Sequence, residues 1–344
     1  MKKQSILNLV RFHVENNEDA FTSEVVDIAR EFDRNGDSAM ATYLMEMISN
    51  ANYYMPQNSY NNLHFLSKTE YSNSPLLLPD IIEEDVLGIT RAISEKMDLS
   101  KFLFYGAPGT GKTETVYQIA RILGRDLLRV DFEKLIDSRL GESAKNVTSL
   151  FHELNHIPFG KTIILMDEID ALVLDRISSN DLREMGRVTS TFIKELDKLS
   201  DKVIVFATTN LYKNFDKAII RRFDATVSFD RYSKDDLIQI ADTLLTSYLK
   251  KNTHSKKDLR LFNKILNNLN TIPFPGDLKQ IIKTAVAFSN ISNEYDYLRK
   301  IYISLHENKE INIQNLSDAG YTTREIEILT RIPKSSVSRK LREN

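Results

Sequence analysis

The octapeptide GAPGTGKT at 106–113 constrains this chain more than any other stretch. It satisfies G-x-x-x-x-G-K-[ST] and stands between the apolar run KFLFY and the helical run TETVYQIARIL, where that pattern has a mechanism. Gly106, Gly109 and Gly111 let the backbone curl until successive amide N–H groups converge on phosphate oxygens at a helix N-terminus. Ala107, Pro108 and Thr110 complete the loop, and Glu114 follows in the first helical turn. Lys112 is expected to reach the β- and γ-phosphates of a nucleotide, and the Thr113 hydroxyl to bind Mg2+.

Such a loop needs a buried strand before it and a helix after it, and the surrounding sequence repeats that arrangement. KFLFY (101–105), LLRVD (127–131), TIILMD (162–167) and KVIVFATT (202–209) are short, apolar and bounded by turns or charges. Helical stretches separate them, which predicts an α/β domain with a doubly wound parallel sheet. The alternation stops after ATVSF at 225–229, and residues 234–307 are mainly helical in pattern. The resulting division is a helical bundle over 1–50, a linker over 51–79, the α/β domain over 80–230, a helical domain over 231–307 and a tail over 308–344. In the first of these, Ile6, Leu9, Val10 and Val14 form one stripe, Val25, Ile28, Ala29 and Phe32 a second, and Leu44, Met47 and Ile48 mark a third helix.

A second chemical element lies in IILMDEID at 163–170, where an apolar strand ends in acids. In a parallel sheet those acids stand at the carboxyl end, beside the phosphate loop. Asp167 is the expected Mg2+ partner, and Glu168 the expected base that orients and deprotonates water for attack on a γ-phosphate.

Composition removes other chemistries. There are no cysteines, so disulfides and thiolate zinc sites are excluded. A formal net charge of −2 gives no basic or acidic character to the molecule as a whole. The longest apolar runs fall well short of the ~20 residues of a membrane span, and Asn8, Arg11 and His13 interrupt any signal-peptide core, so the cytoplasm is expected. HELNH at 152–156 matches the zinc-protease pattern H-E-x-x-H. However, Val147, Leu150, Phe151 and Leu154 define the apolar face of that helix, the histidines project from the other side, and Pro158 disfavours helix at 157. The match is read as coincidence.

Together the loop and the acidic strand tip resemble the AAA+ ATPases, and within them the classical AAA clade, over residues 80–290. LGESAKNVTSLF (140–151) is similar to that clade's Gly-Glu-Ser segment, FATTN (206–210) to its sensor-1 strand, and AIIRRFDATVSF (218–229) to its second region of homology. The resemblance implies a P-loop NTPase fold with a helical lid, Mg·ATP as substrate and a homo-oligomeric ring, most often a hexamer. It implies that Asn210 helps place the lytic water and that Arg221 or Arg222 serves as an arginine finger on a neighbour's ATP. The family's Pro-Gly between arginines is missing, which leaves both as candidates. Arg139 and Leu140 fall where the clade has a pore loop, with arginine in place of the aromatic residue. FPGDLKQIIKTAV (274–286) resembles the lid helix, matching at Gly276 and Asp277.

Two partner classes follow. The resemblance favours remodelling of a protein client or effector, with the N-terminal helices available for docking. The tail GYTTREIEILTRIPKSSVSRKLREN (320–344) looks like a helix-turn-helix, with capping-box spacing at Thr322 and Glu325 and Pro333 suited to the first turn of a second helix. Lys334, Ser335, Ser336, Arg339 and Arg342 on that helix have the chemistry for phosphate and base-edge contact, so duplex DNA is the alternative partner, and a membrane is not expected.

Overall fold

A computed structural model describes residues 3–14, 18–34, 63–69, 76–136, 142–157, 160–170, 181–214, 217–252, 254–306 and 312–343, with 37, 40 and 44 singly. These fall into two units, Met1–His64 and Phe65–Asn344. The first contains α1 (Lys3–Val14) packed on α2 (Glu18–Arg34). Val25, Ile28 and Ala29 of α2 are buried as the pattern predicts, but Val10 and Val14 of α1 are exposed. The packed side of α1 instead runs through Ser5, Asn8, Leu9 and Phe12, a rotation fixed by the Asn8 amide donating to Glu24 at 3.0 Å. The predicted third helix lies mostly outside the described residues.

The second unit is built on a sheet of order β1-β3-β4-β5-β2-β6. Its strands are β1 (Leu66–Lys68), β2 (Lys101–Tyr105), β3 (Asp126–Val130), β4 (Thr162–Met166), β5 (Ile204–Thr209) and β6 (Ala225–Ser228). All neighbours pair in parallel except β1, which runs antiparallel to β3 with Leu66 opposite Val130. The linker expected over 51–79 is therefore interrupted by a strand. Three residues are too short to carry a period, and only the free edge of β3 recruits them.

Strand alternation explains the two buried faces. Phe102, Phe104, Leu127, Ile163, Leu165 and Phe206 point to one side, where they meet Ile82, Val86, Ile89 and Ile93 of α3 (Asp80–Ser94) and Val116, Ile119 and Ala120 of α4 (Lys112–Ile122). Phe206 stacks on Phe102 with ring centroids 4.9 Å apart and meets Phe104 edge-on at 5.3 Å. Leu103, Leu128, Ile164 and Val205 face the other way and are equally inaccessible. Two helices, α5 (Glu142–Leu154) and α6 (Asp181–Lys198), pack together through Phe151 and Phe192.

After β6 come the lid helices α8 (Lys234–Leu249), α9 (Leu259–Asn267), α10 (Pro275–Ala287) and α11 (Asp296–Leu305), preceded by the short α7 (Lys217–Ile220). The tail adds α12 (Ile313–Asp318), α13 (Thr323–Thr330) and α14 (Lys334–Glu343). Thr322 and Glu325 form the expected capping box on α13. Pro333 precedes α14 rather than lying in it, and its carbonyl accepts the Val337 N–H at 3.0 Å.

Lid and tail share one core. Leu316, Tyr321, Ile326, Leu329 and Val337 of the tail pack with Leu261, Phe262, Tyr297 and Ile301 of the lid. The boundary expected near 308 is thus no boundary in packing, because the tail's apolar faces find their partners on the lid. Two charged pairs reinforce the joint. Lys264 donates to Glu325 at 2.7 Å, and Arg331 donates at 2.5 Å to Asp296, whose side chain is only 1% exposed.

Burial alone would raise the Asp296 carboxyl, but hydrogen bonds from Arg331 and the Asn290 N–H outweigh it and hold the carboxyl below its ordinary 3.8. A depressed native value contributes stability at neutral pH that is lost as pH falls through the ordinary value toward the native one. Arg331→Met is expected to lower the unfolding free energy by about 2–3 kcal/mol at pH 7, less than a fully buried pair because Arg331 is half exposed. Urea titrations should show that deficit shrinking below pH 4, and an equal deficit at pH 3 would contradict the assignment.

Candidate functional site

Three glycines shape the loop between β2 and α4. Gly106, Gly109 and Gly111 have φ of 146°, 76° and 96°, all in the region that side chains avoid. A Cβ on Gly106 would stand 2.9 Å from Asp230 Oδ1 and 3.1 Å from the Phe229 carbonyl carbon. Thr110, fully buried, closes the loop by donating to the Ala107 carbonyl at 2.9 Å, while Pro108 is exposed. Helix α4 starts with the Thr115 N–H donating to Gly111, and Glu114 sits half-buried in its first turn.

Lys112 is 6% exposed, with Nζ 2.8 Å from the carbonyls of both Gly106 and Ala107. Burial lowers its pKa, against the pull of Asp230, Asp170, Asp167 and Glu168. The arrangement is a desolvated ammonium inside a cup of loop backbone, surrounded by acids. It is suited to exchange carbonyl partners for the stronger acceptors of a polyphosphate.

The acidic strand tip closes on this loop. Asp167, 9% exposed, accepts from the Thr113 hydroxyl and from the Thr208 hydroxyl, each at 2.7 Å, and pairs with Arg129 at 3.0 Å. Thr208 at the end of β5 also accepts the Glu168 N–H at 2.8 Å, so one hydroxyl fixes the side chain of one acid and the backbone of the next. Glu168 itself has φ of +54° and an exposed side chain. Asn210 donates through Nδ2 to Glu168 Oε1 at 3.4 Å, and its own N–H donates to Asp170 Oδ2 at 3.1 Å. Asp170 is 5% exposed, and its second oxygen has no hydrogen-bond partner among the described residues. A cavity of about 710 Å³ opens beside these groups, lined in part by Arg129, Asp167, Glu168, Asp170 and Asn210.

The structure thus brings together Lys112, Thr113, Asp167, Glu168 and Asn210. Thr113 hydroxyl and Asp167 carboxylate offer adjacent hard oxygen donors, a set that fits Mg2+. Arg221 and Arg222 follow α7 and do not line that cavity. Arg222 lies 2.5 Å from Asp197 and is half-buried, whereas Arg221 is exposed, with no ion pair among the described residues. Arg139 and Leu140 lie outside the described residues. On α14, Val337 is buried and Leu341 packs on the shared core, which leaves Lys334, Ser335, Arg339 and Arg342 exposed and Ser336 half-buried. HELNH straddles a helix end: α5 stops at Leu154, His156 sits 2.6 Å from the His152 carbonyl, and Glu153 accepts the Phe65 N–H.

Sequence reasoning missed Thr208, Arg129, Asp230 and Tyr232. Thr208 carried a signal, a hydroxyl at the buried end of an apolar strand, where it must find polar partners. Asp230 accepts the Ala107 N–H at 2.7 Å, and the Tyr232 hydroxyl donates to the Thr110 carbonyl at 2.7 Å. Arg231, between them, pairs with Asp85 of α3. Nothing in the run DRYS announces that it touches the loop.

Residues 102–231 match the family model described as ATPase family associated with various cellular activities (AAA). An uncharacterized AAA family ATPase of Sinorhizobium fredii is 39% identical over 132 residues, which is 38% of this chain and 39% of that protein. Cell division protein C of Sulfolobus acidocaldarius is 28% identical over 237 residues, 60% of this chain and 61% of its own. Spastin of Drosophila mojavensis is 31% identical over 154 residues, 43% of this chain and 19% of its own. The chain therefore spans less than two thirds of each of these relatives.

Replacing Thr208 by Val leaves Asp167 and the Glu168 N–H each short of a partner. We expect a loss of about 1–3 kcal/mol in unfolding free energy by urea titration, with Thr208→Ser close to the parent. A stable Val variant would mean that water replaces the hydroxyl.

Proposed function

The chain carries an ATPase domain of the AAA family, and from that premise we propose that it is a cytoplasmic motor that hydrolyses Mg·ATP between protomers of a homo-oligomeric ring to remodel a protein client. The observation that carries this reading is the 2.7 Å contact between Thr113 and Asp167, which closes the phosphate loop onto the acidic strand tip. Loop amides and Lys112 hold the polyphosphate and offset its charge. Thr113 and Asp167 would hold Mg2+, which when bound neutralises charge on the phosphates.

Glu168 accepts a proton from water as the water oxygen bonds to the γ-phosphorus. The bond to the β–γ bridging oxygen breaks, releasing ADP and phosphate. Asn210 Nδ2 orients the carboxylate, and Thr208 and Asp170 hold the two backbones that carry these side chains. Arg222 is engaged with Asp197 of its own protomer, so the exposed Arg221 is the better finger toward an adjoining site. Arg139 and Leu140 are proposed to face the client, and the N-terminal helices to dock a partner.

A second reading has a specific observation in its favour. In the turn before α14, Arg331 adopts φ of 62° and ψ of 15°, the left-handed conformation that helix-turn-helix turns often give to glycine. The helix it launches presents Ser335, Arg339 and Arg342 on the side opposite Val337 and Leu341. This is a face suited to a duplex major groove, so the alternative is a DNA-associated motor or regulator.

Glu168→Gln is expected to retain ATP binding while turnover falls by about 100-fold or more in a phosphate-release assay; unchanged turnover removes the assigned base. Arg221→Ala should cut hydrolysis about 10³-fold while nucleotide affinity holds, with activity regained in mixed assemblies with Lys112→Ala; a larger loss at Arg222 reverses the assignment. For the second reading, Arg339→Ala with Arg342→Ala in the full chain should weaken duplex binding and reduce the salt slope by about 2. A full chain that ignores DNA but is stimulated by a protein partner supports the motor reading alone.

A further inference from the structure

Three hydrogen bonds fasten the phosphate loop to the segment that leads into the lid and to the lid itself. Asp230 accepts from Ala107 at 2.7 Å, Tyr232 donates to Thr110 at 2.7 Å, and the Gly276 N–H at the start of α10 donates to Gly109 at 2.8 Å. The last contact is backbone on backbone. A Cβ on Gly276 would stand 2.7 Å from the Gly109 Cα, so the lid helix rests on the loop with no room between them. Consecutive loop residues, Gly109 and Thr110, therefore spend their carbonyls on the lid side, and the Ala107 N–H of the same loop is taken by Asp230.

Tyr232 is the mechanical centre of this joint. Its ring packs against both the α/β core and the lid core, and meets Phe274, the residue capping α10, edge-on at 5.9 Å. Burial raises its pKa well above the ordinary tyrosine value, so the hydroxyl stays a donor at any physiological pH. A loop that rearranges around a ligand must move this ring or break its hydrogen bond.

The far end of the lid is equally firm. The tail helices complete the lid's apolar core and are tied to it by Lys264–Glu325 and Arg331–Asp296. A displacement of α10 is therefore delivered to α14 rather than absorbed, because close-packed cores shift as bodies.

We propose that occupancy of the phosphate loop by ATP and occupancy of α14 by duplex DNA are thermodynamically linked through the lid, with Tyr232 as the transmitting residue. The proposal rests on the duplex reading of the tail and adds to it a regulation in both directions. Linkage is reciprocal, so the factor by which ATP changes the affinity for DNA equals the factor by which DNA changes the affinity for ATP.

The test uses full-length Glu168→Gln protein, in which bound ATP persists. Anisotropy of a labelled 30-base-pair duplex is titrated with and without Mg·ATP, and a fluorescent ATP analogue is titrated with and without unlabelled duplex. We expect a change of about 5-fold or more in each affinity, equal in the two experiments within error. Adding Tyr232→Phe, which keeps the ring and removes the donor, should bring the coupling below about 2-fold, each ratio being taken against that variant's own affinity without the second ligand. Duplex binding that ignores ATP overturns the linkage and leaves the duplex reading standing. No duplex binding in any nucleotide state overturns both. Coupling unchanged in Tyr232→Phe removes Tyr232 from the path, and the linkage itself is read in protein whose hinge is unaltered.

Discussion

The Asp167 carboxylate is the point on which the arrangement depends. It stands at the tip of β4 yet is held by a hydroxyl from the loop helix, a hydroxyl from β5 and a guanidinium from β3. Each partner comes from a different element, so the four agree only when the parallel registers of β3, β4 and β5 are correct. A one-residue slip in any strand would send its polar end residue to the opposite face. The cost of burying an unsatisfied carboxylate then works as a selector for a single strand alignment, and chemistry and folding draw on the same contacts.

A second layer of organisation concerns what the loop does with its carbonyls. In a phosphate loop the amides attract attention because they meet the anion. Here the carbonyls of Gly109 and Thr110 are committed to α10 and to Tyr232, and the Ala107 N–H is committed to Asp230. The peptide unit is rigid, so an N–H cannot be reoriented without turning its own C=O neighbour. Ligand geometry and lid geometry are two readouts of the same few dihedral angles.

How much of this was legible beforehand differs by element. The phosphate loop, the strand tip and the parallel sheet follow from local patterns, because glycine spacing and apolar runs act over a handful of residues. The capping box at Thr322 and Glu325 was equally readable. What escaped were contacts made over long chain separations. Thr208 acts on residues some 40 positions away, and Tyr232 reaches a carbonyl 122 positions away. Arg221 and Arg222 are equivalent in sequence, and only the position of Asp197 separates them. The tail's helices carry sound local signals and so look like a domain of their own; that their apolar faces complete the lid core depends on Tyr297, Leu298 and Ile301, which sequence spacing does not connect to them.

The three-residue strand β1 has a consequence of another kind. It lies alongside β3, whose Leu127, Leu128 and Val130 would otherwise sit on an open flank of a long apolar sheet. Open flanks of that sort recruit foreign chains and seed fibrils. A brief antiparallel cover that ends in Lys68, itself paired with Asp126, denies such growth its first rung. The short stretch thus combines two features that blunt a sheet edge, brevity and a terminal lysine.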